Sequence, residues 1–332
     1  MVAMNAPVQT AVFLGTATVD VVTTALPDSA EDWHAEKTET QIDVQLGGCP
    51  IHAARAYRLA CGSEPHLMAI LGPDRLGDFA ASMMRNEFRH FRTLKTIRST
   101  RISVNWPEDI GHAISGKTFT TRSSVDGDRT LASLGRVLDS SSHLLVGPMS
   151  ASDTPWLHEV LRRFSRNSEG LSFLLLSREQ LRDREAAVRL CRRAEYVVLN
   201  RAEASLLVGT SLSANVPELK TRFSNLEIRR AIVTDGADGV HAFVNGEAIF
   251  EPATPVGMQH TVGAGDTFVG TLIAALIDGR SLQHAMRLAG AASALHVSKA
   301  PRQGGWAELE GILQVSHTVS SAARNHESAS ST

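Results

Sequence analysis

Short, almost wholly apolar runs recur along the chain, and stretches with helical periodicity separate them. Such runs predict buried strands, whereas residues 50–60 and 75–88 have the spacing of helices with one apolar face. Regular alternation of the two predicts an α/β fold with a parallel sheet and helices on both of its faces. The predicted core strands are AVFLG (11–15), HLMAILG (66–72), HLLVG (143–147), SFLLL (172–176), YVVLN (196–200) and AIVTDG (231–236).

Two segments interrupt this alternation. Residues of about 16–46 and 97–131 are rich in β-branched and polar residues, and a DGDR turn lies at 126–129, which is typical of hairpins. We therefore predict that both segments are inserted into the main fold and together form a small separate sheet. The last residues, 316–332, are rich in Ser and Ala and are expected to be disordered.

Composition narrows the function classes. The 332 residues include 33 basic and 35 acidic side chains, a net charge of −2, whereas nucleic-acid and anionic-membrane binding require a basic excess. Three cysteines without a C-x-x-C pair argue against a disulfide framework or a zinc site. The first residues lack a basic leader, and no apolar run approaches the ~18 residues of a membrane span. These features predict a cytoplasmic protein.

The segment GHAISGKT (111–118) matches the G-x4-G-K-[ST] pattern of phosphate-binding P-loops. A true P-loop follows a buried strand and opens a helix, so that backbone N–H groups point at phosphate. Here NWPEDI, which precedes it, contains Pro and two acids, and FTTRSSVDGDR, which follows it, is β-branched and turn-forming. This context argues against a P-loop, and Lys117 is interpreted as a solvated strand residue.

The most informative stretch is HTVGAGDTFVGTLIAAL (260–276), where small residues precede a strongly apolar helix. Gly263, Ala264 and Gly265 let an anion approach the backbone at the positive end of that helix. Asp266, in the first helical turn, has two possible roles: a helix cap, or a general base for an alcohol that attacks a γ-phosphoryl group. A cap alone does not require three consecutive small residues, which favours the general base.

This stretch resembles the C-terminal signature of the ribokinase (PfkB) family of carbohydrate and nucleoside kinases, roughly D-T-x-G-A-G-D. Six other segments are similar to family elements and follow in the same order, so the resemblance covers about residues 11–305. Seven ordered segments are far more specific than any one of them. The six are LGTATVD (14–20), QLGGCPIHAA (45–54), LGPDRLGD (71–78), VDGDRT (125–130), VVLNRAEASLL (197–207) and VTDGADGV (233–240).

The resemblance implies a ribokinase-like, doubly wound and mostly parallel sheet over residues 11–315. The inserted segments, about 16–46 and 97–131, would then form a small β-sheet lid over the substrate. It also implies an enzyme that uses ATP and Mg²⁺ to phosphorylate a hydroxyl of a small sugar or sugar derivative. A homodimer formed through the lid is the corresponding expectation for quaternary structure.

The resemblance also implies roles residue by residue. Asp266 corresponds to the catalytic base, and Gly263, Ala264 and Gly265 correspond to the anion hole for the transferred phosphoryl group. The nucleotide side and the substrate side each have a further set of residues. These are Asn200, Glu203, Thr234, Gly236 and Gly239 for the nucleotide, and Asp20, Gly47, Gly48 and His52 for the substrate.

The residues alone leave alternatives open for the nucleotide side. Glu203 would organise Mg²⁺ directly or through water, which suits an ion that keeps waters and takes few protein ligands. Without the resemblance, a solvated residue in the first turn of a helix would be the better explanation of Glu203. Gly236 and Gly239 are likewise explained by a turn after a strand.

Three departures from the family pattern stand out. His52 replaces the usual Asn, which implies an altered substrate hydroxyl pattern or a repositioned sugar; a helix-surface histidine is the alternative. His260 and Val262 replace residues that help to hold a monovalent ion in potassium-activated members, and imidazole and alkyl groups are poor substitutes for hard oxygen ligands. We therefore expect little activation by potassium. Residues 172–177 also end without the Asp and Asn that many members carry there.

Two other functions remain as alternatives. One is a nucleoside kinase, although few aromatic side chains for base stacking, such as Trp33 and Trp106, lie in the lid segments. The other is a degenerate kinase that only binds its ligand, which the replacements at His52 and His260 would suit. The intact GAGD sequence with its Asp266 argues against that second alternative.

Overall fold

The computed structural model describes residues 10–23, 42–96, 99–106, 143–167, 170–257 and 263–298, and short pieces within 109–141. The strands are β1 (Ala11–Thr16), β2 (Thr18–Thr23), β3 (Ile42–Gly47), β4 (His66–Leu71), β5 (His90–Lys95), β6 (Arg101–Trp106), β7 (Asp109–Ile110), β8 (Ala113–Ile114), β9 (Lys117–Thr120), β10 (His143–Val146), β11 (Ser172–Leu174), β12 (Tyr196–Asn200), β13 (Arg230–Thr234), β14 (Val240–Val244) and β15 (Glu247–Glu251).

The helices begin and end close to the predicted positions. Short 3₁₀ turns cover Ala151–Asp153 and Gly236–Asp238. The α-helices are α1 (Cys49–Cys61), α2 (Arg75–Glu87), α3 (Thr154–Asn167), α4 (Arg178–Leu181), α5 (Arg184–Cys191), α6 (Arg201–Val208), α7 (Val216–Asn225), α8 (Ala264–Ile277) and α9 (Leu282–Val297). In the described parts of the chain, no helix is long and apolar enough to cross a membrane.

A central sheet carries the fold. Its nine described strands lie in the order β15-β14-β13-β12-β11-β10-β1-β4-β5. From β13 to β5 all neighbours are parallel, and β14 and β15 add an antiparallel hairpin at one edge. Both faces of β1 are buried, as expected when helices cover a parallel sheet on two sides. The predicted doubly wound, mostly parallel fold is confirmed.

Two apolar cores lie on opposite faces of this sheet. Successive residues of β1 alternate between them: Phe13 belongs to the core under α1, α2, α8 and α9, and Leu14 belongs to the core under α3 to α7. The chain therefore buries both faces of its strands, which explains why their sequences are apolar runs rather than alternating patterns.

A separate small sheet has the order β3-β2-β6-β9 among the described strands. Its strands fall within or at the ends of the two segments predicted to be inserted, so the separate sheet is confirmed. Lys117 begins β9, so the P-loop lysine position lies in a strand. The limits 11–315, the lid function and the disordered tail stay predictions, and 316–332 lie outside the described residues.

A single residue connects the two sheets. Ala17 separates β1 from β2, and its backbone N–H donates to the Ile70 carbonyl of β4 at 3.2 Å. The small sheet is thus a direct continuation of a central core strand.

Helices α1 and α8 cross at very short distance. A Cβ atom placed on Gly270 of α8 would lie 2.1 Å from the Ala53 carbonyl oxygen of α1 and 2.9 Å from the Ala56 Cβ. Glycine at position 270 is therefore what allows the two backbones to touch. The crossing fixes the first turns of both helices relative to one another.

Candidate active site

The site lies where the strand order reverses. β1 has β4 on one side and β10 on the other, and successive strands then run outward in both directions. Parallel α/β sheets form a crevice at such a point, outside the carboxyl ends of the strands. A cavity of about 200 Å³ opens there, lined by residues at or just after the carboxyl ends of β10 to β13 and by the start of α8.

Asp266 lies in the wall of this cavity, in the first turn of α8. Burial is the main cause that raises the pKa of its carboxyl group, and the negative charge of Asp20 acts in the same direction. His52 and a hydrogen bond with the Cys49 thiol act in the opposite direction. The carboxylate is therefore a stronger base than an exposed aspartate.

The start of α8 has the geometry of an anion site. Gly263 adopts a left-handed conformation (φ 79°), and a Cβ there would lie 2.9 Å from His296 Nε2. A Cβ on Gly265 would meet no atom within 4 Å, so the backbone is open toward the cavity. The first N–H groups of a helix have no acceptor within it, and they carry its positive dipole end. Gly263 and Gly265 line the cavity together with Asp266.

The double glycine, Gly47 and Gly48, packs closely against the segment that carries Asp20. A Cβ on Gly47 would lie 1.9 Å from Asp20 Oδ2, and Thr18 donates a 2.5 Å hydrogen bond to Asp20 Oδ1. Gly48 has φ 98°, and a Cβ there would lie 2.5 Å from the Thr16 carbonyl oxygen. Gly48 cannot be replaced without moving the chain, and Gly47 cannot be replaced without displacing the Asp20 carboxylate.

His52 projects from the first turn of α1 toward this carboxylate. Its Nε2 atom lies 3.8 Å from Asp20 Oδ2, and its side chain is 22% exposed. This distance is too long for a direct hydrogen bond. The structure thus brings His52, Asp20 and Asp266 together, whereas a helix-surface histidine would point away from them.

Asn200 and Glu203 bind each other at the start of α6. Asn200 Oδ1 accepts from the Glu203 N–H at 2.9 Å, and Glu203 Oε2 accepts from the Asn200 N–H at 2.9 Å, a capping box. Both residues also line the cavity. Burial is the main cause that raises the pKa of Glu203, and Asp266 adds to it. The capping role and a position in the site therefore coexist.

Of the three other residues of the predicted nucleotide side, one lines the cavity and two do not. Thr234 pairs with Asn200 across β12 and β13 and lines the cavity. Gly236 (φ 57°) and Gly239 (φ 98°) lie outside this cavity wall, in the turn before β14. A Cβ on Gly239 would lie 2.4 Å from the Glu251 carbonyl oxygen, so the turn itself explains that glycine.

The donor set suits magnesium. Glu203 places a carboxylate in the wall of this cavity, next to the amide of Asn200. Oxygen ligands of this kind fit Mg²⁺, which binds through one or two carboxylates and otherwise keeps waters and phosphate oxygens.

Cys49 was not predicted to be part of the site. It follows the double glycine directly, but its thiol meets Asp266 only because α1 packs on α8, which the sequence does not show. Of the predicted ion-site residues, His260 and Val262 lie outside the described residues.

A protein-family model described as pfkB family carbohydrate kinase matches residues 9–306. The chain belongs to this family. The match confirms the predicted family and, with it, the predicted enzyme class, a phosphotransferase.

Curated relatives within the family are distant. The sugar kinase YegV of Escherichia coli, described as uncharacterized, is 26% identical over 85% of this chain and 87% of its own length. Ribokinase of Bacillus subtilis is 32% identical over 33% of the chain and 42% of its own length. The 1-phosphofructokinase of Escherichia coli is 37% identical over 35% of the chain and 38% of its own length.

Solved structures share the whole fold. Escherichia coli phosphofructokinase-2 in complex with fructose-6-phosphate has a TM-score of 0.72 at 18% identity, covering 92% of this chain and 97% of that one. Ribokinase of Thermotoga maritima has a TM-score of 0.70 at 18% identity, covering 92% and 99%. Family and fold are thereby established, and the substrate is a separate question.

Proposed function

We propose that this protein transfers the γ-phosphoryl group of ATP to a hydroxyl of a small sugar or sugar derivative. The observation that carries the proposal is the half-buried carboxylate of Asp266 at the start of α8, in the wall of the cavity at the strand reversal. Asp20 and the double glycine adjoin it from the small sheet. In this proposal a base, an anion site and a polar hydroxyl-binding side would lie next to one another.

In this mechanism Asp266 takes the proton of the acceptor hydroxyl while the oxygen of that hydroxyl forms a bond to the γ-phosphorus. The bond between that phosphorus and the bridging oxygen breaks, and ADP leaves with the electron pair. The N–H groups at Gly263, Ala264 and Gly265 stabilise charge on the transferred group. Burial strengthens Asp266 as a base, in keeping with this role.

On the nucleotide side we assign Asn200 and Glu203 to the phosphates and to Mg²⁺, with Glu203 acting through water. Bound Mg²⁺ supplies charge neutralisation on the phosphates. Thr234 is assigned to the nucleotide because it lines the cavity beside Asn200. Gly236 and Gly239 would contact the nucleotide farther out, along the turn before β14.

On the substrate side we assign Asp20, Gly47, Gly48 and His52. The carboxylate accepts hydroxyl protons, and the glycines let a sugar approach the backbone. The small sheet would act as a lid that excludes water, which otherwise competes as acceptor. For the lid we further propose a homodimer, since β3 is an edge strand of the described small sheet and its Val44 is 40% exposed.

The test is ADP release over a panel of sugars and nucleosides with Mg²⁺-ATP. Asp266→Asn should abolish transfer, whereas Asp278→Asn should not, because Asp278 lies exposed at the far end of the same helix. Activity with nucleosides alone would replace our assignment with a nucleoside kinase. Sugar binding in calorimetry without any ADP release would indicate a binding protein.

A further inference from the structure

Cys49 and Asp266 face each other because of the crossing of α1 and α8. The backbones touch at Ala53 and Gly270, where a Cβ would lie 2.1 Å from the facing carbonyl oxygen. Cys49 precedes Ala53 by four residues, and Asp266 precedes Gly270 by four. Residues four apart lie on the same helix face, so both lie one turn from the contact, toward the start of their helices.

Two glycines, at the ends of neighbouring strands, border the first turn of α1. A Cβ on Gly147, which follows β10, would lie 3.5 Å from Cys49 Sγ, and a Cβ on Gly15 of β1 would lie 3.2 Å from the Pro50 ring. The first turn of α1 therefore rests directly on the two strands at the strand reversal. The thiol and the Asp266 carboxylate are close enough for each group to influence the pKa of the other.

We propose that Cys49 is a positioning residue for the catalytic base. Its thiol donates to one carboxylate oxygen of Asp266 and thereby aims the other oxygen at the acceptor hydroxyl. This inference rests on the proposed phosphoryl transfer, in which Asp266 takes that proton.

The state of the thiol agrees with this role. Burial, followed by the negative charge of Asp266, raises the pKa of Cys49 well above its ordinary value. The sulfur therefore keeps its proton at neutral pH and remains a donor. A thiolate at this place would instead repel the carboxylate.

Two substitutions test the proposal through steady-state kinetics. Cys49→Ala should lower kcat about tenfold with unchanged KM for sugar and ATP, because a lost hydrogen bond to a charged group is worth about this factor and a thiol is a weak donor. Cys49→Ser, which keeps a donor, should stay within about threefold of the wild type. Cys61→Ala is the control, since the Cys61 thiol, in the last turn of α1, donates to the Tyr57 carbonyl at 3.2 Å.

An infrared measurement tests the hydrogen bond without any turnover. Subtracting the Cys49→Ser spectrum from the wild-type spectrum isolates the S–H stretching band of Cys49. Asp266→Ala should move that band to higher frequency, as expected for loss of the acceptor. Full kcat in Cys49→Ala, or a band that Asp266→Ala leaves in place, overturns the proposal. A wild type that phosphorylates no acceptor contradicts the proposed function instead, while the band still decides whether thiol and carboxylate are bonded.

Discussion

Replacement of Gly270 by alanine should disturb both stability and catalysis. The new Cβ would lie 2.1 Å from the Ala53 carbonyl oxygen, whereas real Cβ contacts essentially never fall below 3.0 Å. The obstacle is backbone on the facing helix, which no side-chain rotation relieves. Helices α1 and α8 must therefore separate by about 1 Å.

The expected magnitude follows from two opposing effects. Overpacking of this kind destabilises by about 1–3 kcal/mol, and a backbone obstacle places the variant in the upper part of that range. Alanine in place of glycine within a helix stabilises by about 1 kcal/mol. Gly270→Ala should therefore lower the free energy of unfolding by about 1–2 kcal/mol. A shift of about 1 Å at Asp266 should also lower kcat roughly 100-fold.

A matched control lies in the next helix. Gly290 of α9 is also a glycine inside a helix, but a Cβ there meets nothing within 4 Å. Gly290→Ala should stabilise by up to about 1 kcal/mol, so urea denaturation should separate the two variants by about 2–3 kcal/mol. If Gly270→Ala is as stable as Gly290→Ala, or keeps its kcat within twofold, the close helix crossing does not have the role given to it here.

Three other predictions concern single side chains. Asp266→Asn should lower the rate of transfer by about 10²–10⁴-fold. Because burial raises the pKa of Asp266, the activity of the wild type should begin to fall at a pH above the usual pKa range of an aspartate as the pH decreases. That raised pKa also means that the ionised carboxylate opposes folding at neutral pH; Asp266→Asn should raise the unfolding midpoint at pH 7 and lose this gain in acid. Gly47→Ala should raise KM for the sugar and leave KM for ATP unchanged, since a Cβ would lie 1.9 Å from Asp20 Oδ2. Asp74→Ala should lower the free energy of unfolding, measured by urea denaturation, by about 0.5–2 kcal/mol. Asp74 caps α2, and its carboxylate accepts a hydrogen bond from the Thr100 N–H at 2.6 Å.

The contrary results are equally specific. Near-normal turnover by Asp266→Asn contradicts its role as base. An unchanged KM for the sugar in Gly47→Ala contradicts the role of Gly47 in leaving room for the Asp20 carboxylate. For Asp74, burial raises the pKa but hydrogen bonds from Thr100 and Gly77 lower it overall. Its stabilisation should therefore be present at neutral pH and decline as the pH falls through the lowered pKa; a loss that is the same at every pH argues against the ionised cap.

The sequence could predict those parts of the molecule that depend on neighbouring residues. The apolar runs located the parallel strands, and the cluster of Gly263, Gly265 and Asp266 marked the start of α8. Strand β11 ends at Leu174, earlier than predicted, and the two leucines that follow line the cavity.

Long-range contacts were beyond reach from one sequence. Nothing in the residues around Cys49 shows that α8 will lie against it, because the partner stretch begins more than 200 residues later. Likewise, nothing in the sequence distinguishes Gly270 from any other glycine within an apolar helix. His52 was identified through the resemblance to the family pattern, but its 3.8 Å distance to Asp20 depends on how β2 and α1 meet.

The one-residue connection through Ala17 has a consequence for how this chain can vary. Side chains along a strand alternate between the two faces of its sheet, so the number of residues after β1 decides which way Asp20 points. Inserting or deleting one residue at Ala17 would turn the Asp20 carboxylate to the other face of the small sheet, although the composition of the chain would hardly change. At this place the length of the chain, more than the identity of its residues, carries the information that builds the site.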